Sequence, residues 1–190
     1  MLVSLNKKIE LKLVTEDHLE LLMNWRNSEV VSKSLFTSTH LTMEDQRKWY
    51  ESYKNDKTQI RWIIYSDGKP IGTTYLTDID HVNKRCESGW FIPNKEDRDM
   101  NMALTIRWNV FDYVFDTLGF HRQYGYILAE NKGVVRFLRV GGFDIEGIMK
   151  GHIFKDGKFQ DVVVAGITKD IWYSKKEQFQ YEKIYMEAQT

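Results

Sequence analysis

Apolar positions in this chain switch period several times, and the switches divide it into elements. Lys8 to Leu13 alternates, with Ile9, Leu11 and Leu13 on one face, which predicts an opening strand. Thr15 followed by Glu16 and Asp17 reads as a helix start, with Leu19, Leu22 and Trp25 turned to the core. Ser32 to His40 is polar and reads as a loop or broken helix, and a second helix begins at Thr42. Arg61 to Tyr65 and Ile71 to Thr77 flank an Asp67-Gly68 hairpin turn. Cys86 to Ile92 adds a third strand, ended by Pro93.

A long helix follows from about Asn101 to Leu118. Leu104, Trp108, Phe111, Phe115 and Leu118 recur every three or four residues, the spacing of one buried face. Tyr124 to Ala129 is a strand. Asn131 then caps a short helix that Gly141 and Gly142 stop. Phe143 to His152 and Gln160 to Thr168 form a last strand pair around Asp156-Gly157. From Ser174 the chain is charged and helix-compatible. Strand, two helices, three strands, helix, strand, helix and two strands make an α/β (α+β) order with a mixed sheet. The expected organisation is one domain over residues 1–173 and a helical tail over 174–190.

Composition narrows the function classes. Lys+Arg 27 against Asp+Glu 27 gives no global electrostatic case for nucleic acid or an anionic membrane. The single cysteine, Cys86, forms no internal disulfide and suits a reducing compartment. No apolar run is long enough to span a bilayer, and Met1 to Leu13 holds no signal-peptide core, so a cytoplasmic location is expected. His81 and His152 show no metal-ligand spacing, so no metal site is expected.

Glu130 to Phe143, running on to Glu146-Gly147, resembles the last helix-and-strand pair of the GNAT N-acetyltransferases. The element order resembles that family along nearly the whole chain. Trp25-Arg26-Asn27, Glu87-Ser88-Gly89-Trp90, the Arg98 to Ala103 loop, Asn131 and Gly142-Phe143 carry the likeness to its RimJ/RimL-type branch. They carry it also to the amino-sugar-nucleotide N-acetyltransferases of pseudaminic acid biosynthesis. The resemblance implies a mostly antiparallel twisted sheet with a splayed strand pair, flanked by helices. It implies acetyl-CoA as co-substrate and direct transfer to a primary amine.

On that resemblance, the main chain of Trp90, Phe91 and Ile92 pairs with the pantetheine. The pyrophosphate sits on the loop and helix start Arg98, Asp99, Asn101, Met102 and Ala103. Asn101 stands where glycine is usual, and asparagine tolerates a left-handed backbone. Asp97 and Asp99 bring negative charge beside this anion site, offset by Lys95 and Arg98. Asn131 is an N-cap that also reaches the cofactor, and Arg136 faces phosphate or solvent.

Glu87 is the expected general base, unless it is a strand-end carboxylate paired with Arg85 or Arg122. His121 is a weaker candidate. Leu138 occupies the position where many relatives place a tyrosine acid. Arg26, Asn27 and His40 are expected at the acceptor, Arg26 because its planar fork suits phosphate or carboxylate. The favoured acceptor is a nucleotide-linked amino sugar. The alternatives are a protein N-terminus, a small amine such as a polyamine, or a non-catalytic module that binds CoA or a partner. A monomer or homodimer is expected.

Overall fold

The computed structural model describes residues 5–189. Residues at both ends of the expected two-segment division, 1–4 and 190, lie outside the described residues, as does the first part of the N-terminal segment read above for a signal peptide. The strands are β1 (Ile9–Leu13), β2 (Ile60–Ser66), β3 (Lys69–Asp80), β4 (Arg85–Phe91), β5 (Arg122–Leu128), β6 (Asp144–Lys155), β7 (Lys158–Thr168) and β8 (Tyr185–Met186). The helices are α1 (Leu19–Asn27), α2 (Glu29–Ser32), α3 (Met43–Tyr53), α4 (Met100–Asp112), α5 (Lys132–Val140) and α6 (Lys169–Lys176). One sheet runs in the order β6-β7-β5-β4-β3-β2-β1-β8. Among the described residues, only β4–β5 and β1–β8 pair in parallel. Among the described residues, no helix is long and apolar enough to cross a membrane.

Two cores cover the two faces. The larger joins α4 and α5 to the sheet through Trp62, Leu76, Cys86, Phe111, Phe115 and Trp172. The smaller lies under α1 and α3, where Leu22, Trp25 and Tyr53 pack on Ile63. Alternation along β4 follows from this. Cys86 is fully buried on the α4 side, so Glu87, Gly89 and Phe91 turn toward α1 and α3.

Local chemistry places the turns. Asp67-Gly68 and Asp156-Gly157 both hold two successive positive φ angles, the requirement of a tight hairpin turn. Thr42 caps α3 reciprocally with Asp45. The stop after α5 differs from expectation. Gly141 stays right-handed at φ −74°, and Gly142 alone takes the positive φ of 108°. The long helix leaves regular geometry after Asp112 and finishes in a π-helical turn, Tyr113–Thr117.

The tail corrects the reading from Ser174. Helix α6 is capped by Thr168 and ends at Lys176. The chain then crosses α4, stacking Phe179 on Trp108 at 4.6 Å between ring centroids. Asn109 Nδ2 donates to the Glu182 carbonyl and its Oδ1 accepts from the Ile184 N–H. Strand β8 extends the sheet beside β1, and the Trp62 indole donates to the Glu187 carbonyl at 2.7 Å. Charge in the sequence suggested a helical tail, but the interleaved aromatics and Ile184 pack the segment on the domain as an extended crossing.

Candidate active site

Strands β4 and β5 pair through only three positions, Arg85↔Arg122, Cys86↔Gln123 and Glu87↔Tyr124. A Cβ on Gly125 would still lie 3.1 Å from the Ser88 carbonyl oxygen, so the strands part just beyond that point. Past the divergence, the β5-facing N–H and C=O groups of β4 have no strand partner. A cleft of about 630 Å³ opens there. Its walls are β4 from Glu87 onward, the start of α4, residues of α5 and the segment around α2. Clefts of this size with a few convergent polar groups are typical small-molecule sites.

The β4 residues Glu87, Trp90, Phe91 and Ile92 all line this cleft. The Glu87 carboxylate is half-buried and forms no ion pair or hydrogen bond among the described residues. The two expected partners are engaged elsewhere: Arg85 with Asp80 and Arg122 bidentately with Glu146. Burial, reinforced by nearby Asp78, raises the Glu87 pKa above the ordinary carboxylate value. An unpaired carboxylate tuned upward is suited to take a proton near neutral pH.

At the start of α4 the geometry refines the expected anion site. Arg98 Nε donates to the Ile92 carbonyl and its Nη2 to the Pro93 carbonyl, both at 2.9 Å. Its guanidinium therefore clips the end of β4 to the loop while still lining the cleft. Asp99 is the N-cap and accepts from the Met102 N–H at 2.8 Å. Asp97 is neutralised by Lys69. The first-turn N–H groups of Met100 and Asn101 have no helical acceptor, as for any helix start. Asn101 itself sits inside α4 rather than in a left-handed loop position, and its side chain is solvent-exposed. Met102 is 4% exposed and packs into the larger core. Of these residues, Arg98, Asp99 and Ala103 line the cleft; Asn101 and Met102 do not.

Asn131 Oδ1 accepts from the Val134 N–H at 3.3 Å, as an N-cap should, and the residue lines the cleft. Arg136 is exposed on α5 and outside the cleft lining. Leu138 is 5% exposed and lines the cleft, an aliphatic surface with no proton to give.

The acceptor residues expected from the sequence separate in the structure. Asn27 spends its amide on the Leu41 backbone, donating to the carbonyl and accepting from the N–H, both at 2.8 Å. It staples the end of α1 to the following loop. His40 is exposed and His121 is exposed, and neither lines the cleft. Arg26 lies behind the cleft wall, its buried Nε without a partner, close enough to act electrostatically on Arg61 and Tyr75. Cys86 is inert: burial pushes its thiol up to about 12.

Three residues of the site were not anticipated. Tyr75 lines the cleft and lies across Gly89, where an added Cβ would meet its phenol at 2.2 Å. The Arg61 guanidinium stacks on the same ring at 4.1 Å. Burial raises the Tyr75 pKa. The register Tyr75↔Gly89 explains the glycine: the ring needs the space a side chain would fill. Arg107, one helix face below Ala103, also lines the cleft. Lys155, 4% exposed at the far end of β6, donates to the carbonyls of Ser32, Lys33 and Leu35. It thereby ties the segment after α2 to the hairpin of β6 and β7. The one sequence signal for any of them was Gly89 opposite an aromatic strand position.

A splayed parallel pair with free main-chain groups, a helix start with free N–H groups at its open end and an unpaired carboxylate at its closed end fit an acyl-CoA thioester. Comparison with known proteins agrees. Residues 8–144 match the model of the acetyltransferase (GNAT) domain. The spermidine N(1)-acetyltransferase of Escherichia coli K12 is 22% identical over 155 residues, 82% of this chain and 83% of that protein. The spermidine N(1)-acetyltransferase of Vibrio cholerae is 22% identical over 174 residues, 91% of this chain and 100% of that one. The crystal structure of the Vibrio cholerae spermidine N-acetyltransferase with CoA and spermine has the same fold. Its TM-score is 0.82 at 22% identity, covering 87% of this chain and 98% of that one. These relatives are polyamine acetyltransferases, where the motifs had pointed toward the RimJ/RimL-type and sugar-nucleotide branches. The chain belongs to the GNAT acetyltransferase family and is an N-acetyltransferase that uses acetyl-CoA as co-substrate.

Proposed function

We propose that this enzyme acetylates the primary amine of an acceptor that also carries anionic groups, with a nucleotide-linked amino sugar as the favoured case. The observation that carries the reaction is the unpaired Glu87 carboxylate at the closed end of the β4–β5 splay. The acyl donor supplies an activated thioester. Residues of the chain do the rest. Free N–H groups on the splayed edge of β4 hold the donor and face the oxygen on which charge develops. The start of α4, with its dipole and the loop clipped by Arg98, receives the pyrophosphate. Glu87, directly or through a water, takes the proton of the attacking amine. Asn131 and Ala103 border the donor path.

Charge supports the anionic acceptor. The cleft lining holds two carboxylates, and one of them, Asp99, is spent on its helix cap. Two guanidiniums, Arg98 and Arg107, line it as well, and Arg26 and Arg61 stand unpaired behind Tyr75. Such a surface offers little to a polycation. A second reading, spermidine or spermine as acceptor, is favoured by the names of the relatives. We place the enzyme in the cytoplasm, where a free buried thiol such as Cys86 persists.

The test is thiol release from acetyl-CoA with a panel of amino-sugar nucleotides, N-terminal peptides and polyamines. The expected outcome is a kcat/KM for an amino-sugar nucleotide at least tenfold above that for spermidine. The reverse order would establish the polyamine reading. Acetyl-CoA at 100 times its Kd should also stabilise the fold by about 2.7 kcal/mol; no thermal shift at millimolar acetyl-CoA would leave only a module without donor chemistry.

A further inference from the structure

We propose that Arg107 is a catalytic residue that stabilises the departing sulfur of the acyl donor as a thiolate. The proposal rests on the donor reading above.

Of the three arginines whose buried Nε has no partner among the described residues, Arg26, Arg61 and Arg107, only Arg107 lines the cleft. Its Nε is buried with no hydrogen-bond partner, and its guanidinium has no carboxylate within ion-pair reach among the described residues. Arg98, the other guanidinium of the cleft, is spent on two carbonyls, and Arg122 and Lys155 are likewise engaged, on Glu146 and on three carbonyls. Three rings face the Arg107 guanidinium. Phe143 lies 5.0 Å from the guanidinium carbon, Phe137 5.1 Å and Trp90 5.9 Å. Such faces offset part of the cost of burying a cation, and they leave its charge uncompensated by any anion. The Gly141 position keeps the side chain in place, since an added Cβ there would meet Arg107 Cδ at 2.9 Å.

Position gives the charge its use. Arg107 is seven residues past the start of α4, about 10 Å along the helix axis from the phosphate end. It lines the main cleft and also a small cavity of about 10 Å³ at the apex of the splay. Gln123 faces that cavity too; it is 1% exposed, and neither its Oε1 nor its Nε2 has a partner. Two unpartnered polar groups therefore turn toward the apex, where β4 still carries Ser88 and Gly89. Glu87 faces the α1 and α3 side of the sheet, whereas Arg107 approaches from the α4 side. The amine is deprotonated on one side of the reacting carbonyl and the leaving group departs on the other.

The electron count is simple. The amine lone pair forms the C–N bond, and the C–S bond breaks with its pair going to sulfur. The amine proton goes to Glu87. Arg107 keeps its protons and supplies charge; solvent protonates the thiolate after release. With Leu138 aliphatic, no side chain of α5 that lines the cleft offers a proton instead. Burial also lowers the Arg107 pKa, to about 9, the direction expected for a cation waiting for an anion.

The test measures the thiol of bound CoA by its thiolate absorbance as pH is raised. In the wild type the bound thiol should ionise at least one pH unit below free CoA. Arg107→Met should lose that shift while still binding CoA, and Arg107→Lys should keep part of it. An unchanged thiol pKa in Arg107→Met would overturn the proposal and leave the donor site standing. A wild type that binds no CoA would overturn both. A second measurement needs no variant: wild-type affinity for CoA relative to desulfo-CoA should rise at least about twofold from pH 6 to pH 9. A flat ratio would overturn the role of Arg107.

Discussion

Two charged sites are built around α4, and they follow opposite principles. At its C-terminal end, Asp112 is 8% exposed and saturated with partners. The Trp172 indole, the Tyr181 hydroxyl and the ammonium groups of Lys176 and Lys183 all donate to its carboxylate. Five residues earlier on the helix, Arg107 lines the cleft that also holds Glu87, and neither has an ion-pair partner among the described residues. The first site fastens the tail to the core. The second leaves desolvated charge waiting, which costs stability and is repaid when a ligand arrives. In this fold, satisfaction of buried charge separates the groups that hold the chain together from those proposed to act on substrate.

The contrast breaks most sharply at Glu87. Glu87→Gln should lower kcat/KM at pH 7 by about a hundredfold or more, within the range of general-base catalysis, with the melting temperature unchanged or raised. In the wild type kcat/KM should climb with pH through an apparent pKa above the usual 4.5 of a glutamate, since burial raises it. That acid limb should vanish in the variant; a limb that survives would move the base to another residue.

Asp112 should give the opposite result. Asp112→Asn keeps the shape and removes the charge that two lysines answer, at a cost of about 2 kcal/mol in unfolding experiments. Activity at low temperature should be retained. Burial alone would raise the Asp112 pKa, but its bonds to Lys176, Lys183 and Tyr181 outweigh this and the net shift is downward. A depressed folded-state pKa means the stabilisation is complete above the unfolded value. It is lost as pH falls below about 4. The variant should accordingly be insensitive to that acid step, as denaturant titrations at pH 3 and pH 6 would reveal.

Lys155 lies between these extremes, being saturated yet serving the cleft. Lys155→Met should free the segment holding Ser34, Leu35 and Phe36. The acceptor KM should rise several-fold, with the KM for acetyl-CoA little moved. Equal rises in both would assign this segment to the donor side.

The legible part of the molecule was its local chemistry. Hairpin turns at Asp67-Gly68 and Asp156-Gly157, the Thr42 and Asn131 caps and the buried face of α4 all follow from residues within a few positions of one another. Glu87 was legible through its motif, because β-strand alternation places it opposite Cys86. The misread residues share a different cause. Asn27 was a ligand candidate until Leu41 claimed its amide, and Asn101 was a loop residue until Asp99 began the helix before it. The tail was read from its charges, and its aromatics found their partner in α4 instead.

The sequence by itself determined the order of the main elements from β1 to β7, the sheet class and the family, and it supplied Glu87 as the proposed base. Those features depend on periodicity and short motifs, which need no knowledge of distant neighbours. Only the tertiary structure decided which charges are answered. Glu87 is free because Arg85 and Arg122 pair with Asp80 and Glu146. Arg107 is free because three rings from β4, α5 and the turn before β6 surround it. Whether a buried charge has a partner depends on residues brought together across the fold, and sequence spacing carries no record of that meeting.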